Sequence, residues 1–440
     1  MKRAFFALTF VAQLATAGWA QTAREEIAHD IHLTAGNTLA YTSPKLKFTP
    51  APTGMKPFYL SHYGRYGSQF LILQSYYDGP YETLLRADSL GKLTDFGKEI
   101  LQRLTLIRNE ATGRMGELTT VGVSQIKEIA QRMYERFPEV FQDEVTIDAH
   151  STTAICSVLS MSNALTQLLS MNPKLHVRQN ASQLDMDYMD TEDQLLIDGR
   201  FPTKARLAFE AFKQQRPTPT RQMRMLFNDS NYVKSNILPK QLSLALFRLA
   251  SHVQNTELRK QLTLYDLFTD EELYSLWETN NAWWYIWYGP SPLNGATQPY
   301  SQRRLLRRMV QEADSCISLS KPGATLRFGN EEVLMSLACL LNLNAFGQQI
   351  EKLEKLTKKG WRNYHIIPMA ANIQLVFYRG DGKSRAKDDV LVKVLLNEDE
   401  AILPINTSRW PYYRWEEVRN YILQKLDTYE KGAAPEKGKK

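Results

Sequence analysis

An aromatic, β-prone run that ends in two closely spaced glycines constrains the fold of this chain more than any other segment. Residues 57–63 read PFYLSHY, and Gly64 and Gly67 follow at once. Aromatic and β-branched runs bounded by glycine are typical of strands, and glycine allows the backbone to turn sharply or approach another group closely. The run therefore predicts a buried strand that delivers a backbone loop to a site.

The segments that follow alternate between helix and strand. Apolar residues recur at helical spacing in 96–108 and 122–136, a short strand pattern occupies 145–149, and an apolar helix pattern covers 151–170. Strand, helix and strand in this order are typical of a sheet covered by its crossover helices. We therefore predict an α/β sandwich with a largely parallel central sheet flanked by helices.

The middle of the chain changes to helical patterns rich in polar and aromatic residues. This change predicts an inserted all-α cap domain at 186–310. The α/β domain would then be discontinuous, formed by 21–185 and 311–430. A cluster of aromatic side chains lies inside the insertion and has two possible roles, as hydrophobic core or as a stacking surface for a ring-shaped ligand. The cluster comprises Trp283, Trp284, Tyr285, Trp287 and Tyr288.

The amino terminus has the composition of a cleaved signal peptide. Lys2 and Arg3 precede an apolar stretch, and small residues at Gly18 and Ala20 precede Gln21, so 1–20 fits the pattern. A membrane anchor is the alternative, but it requires about 20 uninterrupted apolar residues. We expect export to the periplasm, the cell surface or the outside of a bacterium, and we expect 431–440 to be a disordered basic tail.

Charge and cysteine content narrow the function classes. Removing Lys2 and Arg3 lowers the formal charge from +7 to +5, a mild excess that suits anionic ligands. The 3 cysteines have neither a disulfide framework nor metal-ligand spacing, so we expect no metal and no cofactor. No segment resembles a nucleic-acid module or a later membrane span.

Six segments occur in an order that carries a family resemblance. They are SHYGRYGSQF (61–70), GELTTVGVSQIKEIAQRM (116–133), HSTTAICSVLSM (150–161), LRFGNEEVLMSLACLL (326–341), IIPMAANIQLVFYR (366–379) and LPINTSRWPYYRW (403–415). Together they resemble the histidine acid phosphatase family, histidine phosphatase superfamily clade 2, and in particular its bacterial multiple inositol polyphosphate phosphatases.

The resemblance implies a phosphate-binding RHGxR loop whose histidine attacks phosphorus and whose arginines hold the phosphoryl oxygens. The corresponding string here is RYGSQ, 65–69. Arg65 matches the first arginine, but Tyr66 stands at the nucleophile position and Gln69 at the second arginine. A phenol with a pKa of about 10 is a poor nucleophile at neutral pH, and an amide brings no charge.

The other two family motifs are altered as well. His150 stands where the family has a phosphate-binding arginine, and Cys156 replaces a second one. In the family's FGHD or FGHAE motif a histidine contacts phosphate and the acid protonates the leaving oxygen. Asn330 replaces that histidine, while Glu331 is the candidate general acid and Glu332 the alternative. We predict that Arg65, Tyr66, Gln69, His150, Asn330 and Glu331 converge in one cleft.

A second alignment remains open. His62 and Arg65 have the same spacing as the histidine and second arginine of the family loop, four residues early. That register puts Tyr63 where the family has glycine, although the backbone must approach a phosphate closely there. The first alignment is the better fit, with His62 as a strand residue beside the site.

Two functions follow from these residues. The favoured one is an exported, catalytically impaired pseudoenzyme that binds an anionic small molecule such as a phosphorylated inositol or sugar, or a protein partner. Losing a nucleophile and its cations together removes groups that stabilise a transition state as a unit. The alternative is an active phosphomonoesterase that hydrolyses phytate or other phosphate esters with a non-standard site.

Overall fold

The computed structural model describes residues 22–44, 48–190, 193–380 and 390–433. Its strands form one sheet in which each strand is hydrogen-bonded to its neighbours. The strands are β1 (Met55–Arg65), β2 (Thr146–Ser151), β3 (His176–Asn180), β4 (Gly323–Gly329), β5 (Asn372–Gly380), β6 (Leu391–Leu396), β7 (Asp399–Glu400) and β8 (Tyr412–Arg414).

The sheet has a parallel half and an antiparallel half. Its order is β3-β2-β4-β1-β5-β6-β7, with β8 paired to β6. Strands β3, β2, β4 and β1 run parallel, whereas β5 is antiparallel to β1 and β6 to β5. The predicted strands at 57–63 and 145–149 are β1 and β2, and β4 lies between them. The predicted α/β class, with a central sheet flanked by helices, is confirmed.

Helices begin where the sequence provides caps. Thr94 accepts a hydrogen bond from the Gly97 amide, and Thr119 accepts one from the Gly122 amide, so each satisfies a free N–H of a first turn. The α-helices are Ala23–His29, Ser75–Ser89, Asp95–Ala111, Thr120–Arg136, Pro138–Phe141, Ile155–Met171, Met186–Met189, Gln194–Asp198, Thr203–Gln214, Gln222–Leu226, Ser230–Asn236, Pro239–Val253, Asp270–Tyr288, Arg303–Ile317, Glu331–Leu341, Asn363–Ile366 and Trp415–Ala433.

Each face of the sheet is covered by its own hydrophobic layer. The helices Thr120–Arg136 and Ile155–Met171 pack on one face, where buried residues include Leu60 and Leu326. The helices Arg303–Ile317, Glu331–Leu341 and Trp415–Ala433 pack on the other face. Both faces of the sheet are therefore covered. In sheets of this kind, ligands bind beside the carboxyl ends of the parallel strands.

A further hydrophobic core holds the helical part of the chain together. It joins the helices Ser75–Ser89 and Asp95–Ala111 to four later helices, Gln222–Leu226, Ser230–Asn236, Pro239–Val253 and Asp270–Tyr288. The Arg303–Ile317 helix runs through the boundary expected after residue 310 and packs with the sheet. The division into 21–185, 186–310 and 311–430 stays a prediction.

The predictions for the two termini fall largely outside the described residues. The predicted signal peptide, 1–20, lies wholly outside them, and so does 434–440 of the predicted tail. Residues 431–433 end the last helix. Within the described ranges, no helix is both long and apolar enough to cross a bilayer.

Candidate functional site

The carboxyl ends of β1, β2 and β4 meet at one edge of the sheet. Arg65 at the end of β1 lies opposite Gly329 of β4, and Ser151 at the end of β2 lies opposite Phe328. The Tyr66 amide then donates to the Gly329 carbonyl at 3.2 Å, and the Thr152 amide donates to the Phe328 carbonyl at 2.9 Å. The segments after all three strands are thereby brought together, at the edge where open α/β sheets place ligands.

Two glycines fix the loop that follows β1. A Cβ on Gly67 would lie 2.6 Å from the Gly122 carbonyl oxygen, which is too close for any side chain. The reverse also holds, because a Cβ on Gly122 would run into the Ser68 carbonyl. Ser68 donates through its amide to Gln125 at 2.9 Å and through its hydroxyl to Asn255 at 2.6 Å. The loop is therefore held against the first turn of the Thr120–Arg136 helix.

Arg65 is a buried cation whose donors are directed inward. Its side chain is only 2% exposed. One terminal nitrogen donates to the carbonyls of Asn37 and of Ile367, the latter at 2.8 Å. The other donates to the Glu331 carboxylate at 3.1 Å. The carboxylate therefore balances the charge of the arginine inside the protein.

Tyr66 shares that carboxylate. Its hydroxyl donates to the second oxygen of Glu331, and its ring lies 5.1 Å from the Arg65 guanidinium carbon. Burial, followed by the negative charge of Glu331, raises the pKa of the Tyr66 phenol well above its usual value. Arg65 opposes that shift without cancelling it. The phenol is thus held as a proton donor, which is the opposite of an activated nucleophile.

Glu332 and Asn330 flank this three-residue contact. Burial and then the charge of Glu331 raise the pKa of the Glu332 carboxyl, since two neighbouring carboxylates resist ionising together. The Asn330 amide group donates to Asp190 at 3.4 Å. Asn330 therefore contacts a carboxylate, and the Glu332 carboxyl holds a proton more readily than an ordinary glutamate.

His150 is held between two aspartates. Its Nδ1 lies 3.2 Å from Asp185 and its Nε2 lies 3.6 Å from Asp148. Hydrogen bonding to Asp148 raises the pKa of the imidazole; burial opposes this, and Asp185 adds to it. Its positive charge, when present, is compensated by these carboxylates before any ligand arrives.

His62, the basis of the alternative register, is a core residue. Its side chain is 2% exposed and packs 5.2 Å from the Phe328 ring, centroid to centroid. Burial and the nearby Arg327 charge lower the pKa of the imidazole to about 3, so it is neutral. It lines a small apolar cavity with residues such as Ile126 and Leu168.

The family model of the histidine phosphatase superfamily, branch 2, matches residues 98–397, more than half of the chain. The chain belongs to that superfamily. The matched range contains His150, Asn330 and Glu331 and begins after residues 65–69.

Solved structures of an inositol polyphosphate phosphatase and of phytases have the same fold. A Bifidobacterium longum multiple inositol polyphosphate phosphatase in complex with inositol hexasulfate is 16% identical, with a TM-score of 0.67, covering 88% of this chain and 97% of that one. The phytase from D. castellii is 12% identical, with a TM-score of 0.63 and coverage of 96% and 90%. Hafnia alvei phytase in complex with myo-inositol hexakis sulphate is 11% identical, with a TM-score of 0.52 and coverage of 85% and 98%.

The predicted site residues of this superfamily member are only partly in mutual contact. Arg65, Tyr66 and Glu331 touch directly. Gln69 forms a backbone bridge with Leu118, and its side-chain oxygen is buried without a hydrogen-bond partner in the described ranges. Convergence of all six predicted residues in one cleft stays a prediction.

Several residues of the site were not found from the sequence. The carbonyls of Asn37 and Ile367 hold Arg65, but any residue offers a carbonyl, so no residue type marks these positions. Asp185 and Asp190 contact His150 and Asn330 from a segment that carries no motif. Their acidic character was the one available signal.

The aromatic cluster contains both buried and partly exposed rings. Trp284 and Tyr285 are buried in the core, at 4% and 0% exposure. Trp283, Trp287 and Tyr288 stay partly exposed, and the rings of Trp283 and Trp287 stack at 4.9 Å. The second group retains an accessible aromatic surface.

Proposed function

We propose that this superfamily member is an exported, catalytically impaired protein that binds a ligand in the cleft at the carboxyl edge of the sheet without hydrolysing it. The observation that carries the proposal is the contact of Arg65 and Tyr66 with the two oxygens of one carboxylate, that of Glu331. The family's phosphate-binding arginine is thereby occupied from within the chain.

The nucleophile position supports this conclusion. Attack on phosphorus would require Tyr66 to lose its proton beside an ionised carboxylate, and burial together with that carboxylate opposes the loss. The same hydroxyl already donates to Glu331. A tyrosine in this setting stabilises the carboxylate and supplies no nucleophile at neutral pH.

The charges of the site set the expected ligand affinity. A phosphoryl group that bound Arg65 would have to displace Glu331 or lie beside its negative charge. His150 offers little more, because Asp148 and Asp185 compensate its charge. Phosphorylated inositols and sugars remain in the proposal, since related structures were solved with inositol hexasulfate, but we expect weak binding at neutral pH. A protein partner is the other proposed ligand.

One observation favours the alternative of an active phosphomonoesterase. Glu332 holds a proton more readily than an ordinary glutamate, as a general acid for the leaving oxygen requires. A general acid without a nucleophile and its cations gives little rate, because these groups act together. The alternative therefore requires a nucleophile outside the family's pattern.

The decisive experiment combines turnover and binding on the purified chain that begins at Gln21. Hydrolysis of an aryl phosphate and of phytate is measured beside calorimetric binding of inositol hexakisphosphate, for the wild type, Tyr66→Phe and His62→Ala. We expect no hydrolysis above background in any of the three proteins. Robust hydrolysis that survives exhaustive purification would overturn the proposal, and its loss in His62→Ala but not in Tyr66→Phe would establish the early register.

A further inference from the structure

The partly exposed rings of Trp283, Trp287 and Tyr288 contact one another and form one aromatic wall. Trp283 and Trp287 stack with an interplanar angle of 23°, and Phe201 lies 5.7 Å from the Trp287 ring. The Arg200 guanidinium carbon lies 4.8 Å from the Tyr288 ring and 5.5 Å from the Trp287 ring. This arrangement fixes the orientation of the rings, as a stacking surface for a ligand requires.

The wall adjoins the helix that carries the acidic residues of the site. The Ser336 hydroxyl donates to the Tyr288 carbonyl at 3.2 Å, and Ser336 lies one turn beyond Glu332 in the Glu331–Leu341 helix. Burial and then the charge of Glu332 raise the pKa of the Tyr288 phenol, which agrees with their proximity. Tyr288 therefore links the aromatic surface to the carboxyl groups.

Two hydroxyls without a hydrogen-bond partner in the described ranges lie near the carboxyl ends of β1 and β2. The Tyr63 hydroxyl and the Thr152 hydroxyl are buried, in residues 0% and 2% exposed, and have no hydrogen-bond partner within the described ranges. The backbone N–H of Asn330 is directed toward the Tyr63 hydroxyl and lowers its pKa, against the larger effect of burial. Both side chains approach one point, since a Cβ on Gly329 would meet Tyr63 and, at 3.2 Å, the Thr152 methyl.

These groups share one hydrogen-bonding character. A hydroxyl or a protonated carboxyl both donates and accepts, so Tyr63, Thr152 and Glu332 match partners that do the same. Ligand hydroxyls have that property, whereas the oxygens of a phosphate dianion only accept. The carboxylates of Glu331 and Asp190 would also repel an anion at this edge.

We propose that this aromatic and carboxyl surface, formed by Trp283, Trp287, Tyr288 and Glu332, binds an uncharged six-membered ring that carries several hydroxyls. The C–H face of the ring stacks on the indoles, and its hydroxyls turn toward Glu332 and the edge of the sheet. A cyclitol and a hexopyranose both have this chemistry. The inference rests on the proposed non-hydrolytic function and names the ligand class for the same cleft.

Titration with two uncharged rings tests the inference and separates the two sources. Binding of myo-inositol and of methyl β-glucoside is measured by calorimetry and tryptophan fluorescence on the wild type, Trp287→Phe, Trp287→Ala and Glu332→Gln. We expect saturable binding of one ring that changes little with salt, weakens about tenfold in Trp287→Ala and is largely kept in Trp287→Phe. Trp410→Ala is the control, because that indole is 51% exposed in a loop outside the wall.

Each other outcome has a distinct meaning. No saturable binding of either ring, or equal binding by the wild type and Trp287→Ala, overturns the inference. If Trp287→Ala fails to fold, Trp283→Ala replaces it with the same expected loss. Binding of inositol hexakisphosphate that needs Arg65 and ignores Trp287 would overturn the ring inference and leave the proposed non-hydrolytic function intact. Hydrolysis of phosphate esters would instead overturn the proposed function.

Discussion

The Arg65 guanidinium lies 3.1 Å from the Glu331 carboxylate, and both groups are almost wholly shielded from water, at 2% and 12% exposure. In a buried ion pair each charge depends on the other, because neither recovers its lost hydration alone. Glu331 thus takes the position on Arg65 that an anionic ligand would require. Five consequences of the structure can be measured.

Replacing Glu331 with glutamine should turn Arg65 into an anion site. The Glu331→Gln protein should unfold more easily, by about 1–3 kcal/mol, because the arginine loses its charged acceptor. Inorganic phosphate should then raise its melting temperature, while the wild type responds little. Thermal unfolding with and without phosphate measures both effects. The control is Glu332→Gln, on the same helical turn, and an equal phosphate response in all three proteins contradicts the prediction.

The contact between Gly67 and Gly122 predicts that a single methyl group disturbs the site loop. In Gly122→Ala the new Cβ would overlap the Ser68 carbonyl, so we expect a loss of about 1–3 kcal/mol of stability. Gly79→Ala is the matched control, because that glycine lies in a helix with no atom within 4 Å of an added Cβ. The control should be about 0.5–1 kcal/mol more stable than the wild type. Equal denaturation midpoints for the two variants would show that the loop is free to move.

The Glu26 carboxylate should stabilise the fold above pH 4.5 and lose that effect in acid. Burial opposes its ionisation, but contacts with His365, Tyr364 and Arg362 hold the pKa at about 2, below the usual 4.5. A depressed pKa adds stability above the unfolded value, and the gain disappears as pH falls toward 2. Glu26→Gln should cost about 2 kcal/mol at neutral pH, after allowance for solvent screening. Denaturation at several pH values should show the difference closing in acid; a constant difference argues against the linkage.

The two aspartates around His150 predict the opposite pH dependence. Its pKa is raised above 6.5 by Asp148 and then Asp185, so its stabilising effect is complete below pH 6.5 and is lost as pH rises through the folded pKa. His150→Gln should therefore destabilise the protein more at about pH 5.5 than at about pH 9. Chemical denaturation of both proteins at the two pH values tests this. An NMR titration of the imidazole that shows a lowered pKa would contradict it.

Restoring the family residues should recover phosphate binding before hydrolysis. The variant combines Tyr66→His, Gln69→Arg, His150→Arg and Asn330→His. Each added charge-assisted hydrogen bond contributes about 1.5–3 kcal/mol, so inositol hexakisphosphate should bind at least about tenfold more tightly. Hydrolysis should appear only if Glu331 or Glu332 acts as the general acid. Calorimetry and phosphate release measure the two steps, and hydrolysis by Tyr66→His alone would show that the lost cations are dispensable.

The fold was predictable where burial governs the residue pattern. Strand β1 is an aromatic run, β2 alternates buried and half-buried residues, and both were expected within a few residues of their observed bounds. Strand β3 reads HVRQN and lies at the exposed edge of the sheet, so its sequence carries no strand pattern. The Ser75–Ser89 helix contains Gly79 and Pro80, which ordinarily argue against a helix.

The site was predictable only through side chains with distinctive chemistry. The pattern at Arg65, Tyr66 and Glu331 was visible, and these residues do meet. Their pairing was not, because the spacing of residues does not reveal which acid will compensate which cation. The same limit applies to Asp185, whose contact with His150 depends on a turn without a motif.

Two of the groups that hold Arg65 also determine when the site can form. The Ile367 carbonyl is 302 residues away along the chain, and Glu331 is 266 residues away. During synthesis, the Arg65 side chain at the end of β1 therefore cannot be enclosed until residue 367 of the 440-residue chain has been made. Contacts of such separation slow folding and leave a charged strand end exposed in the interval. Enclosure of Arg65 should be among the last steps of folding. A chain truncated before Ile367 would lack this contact.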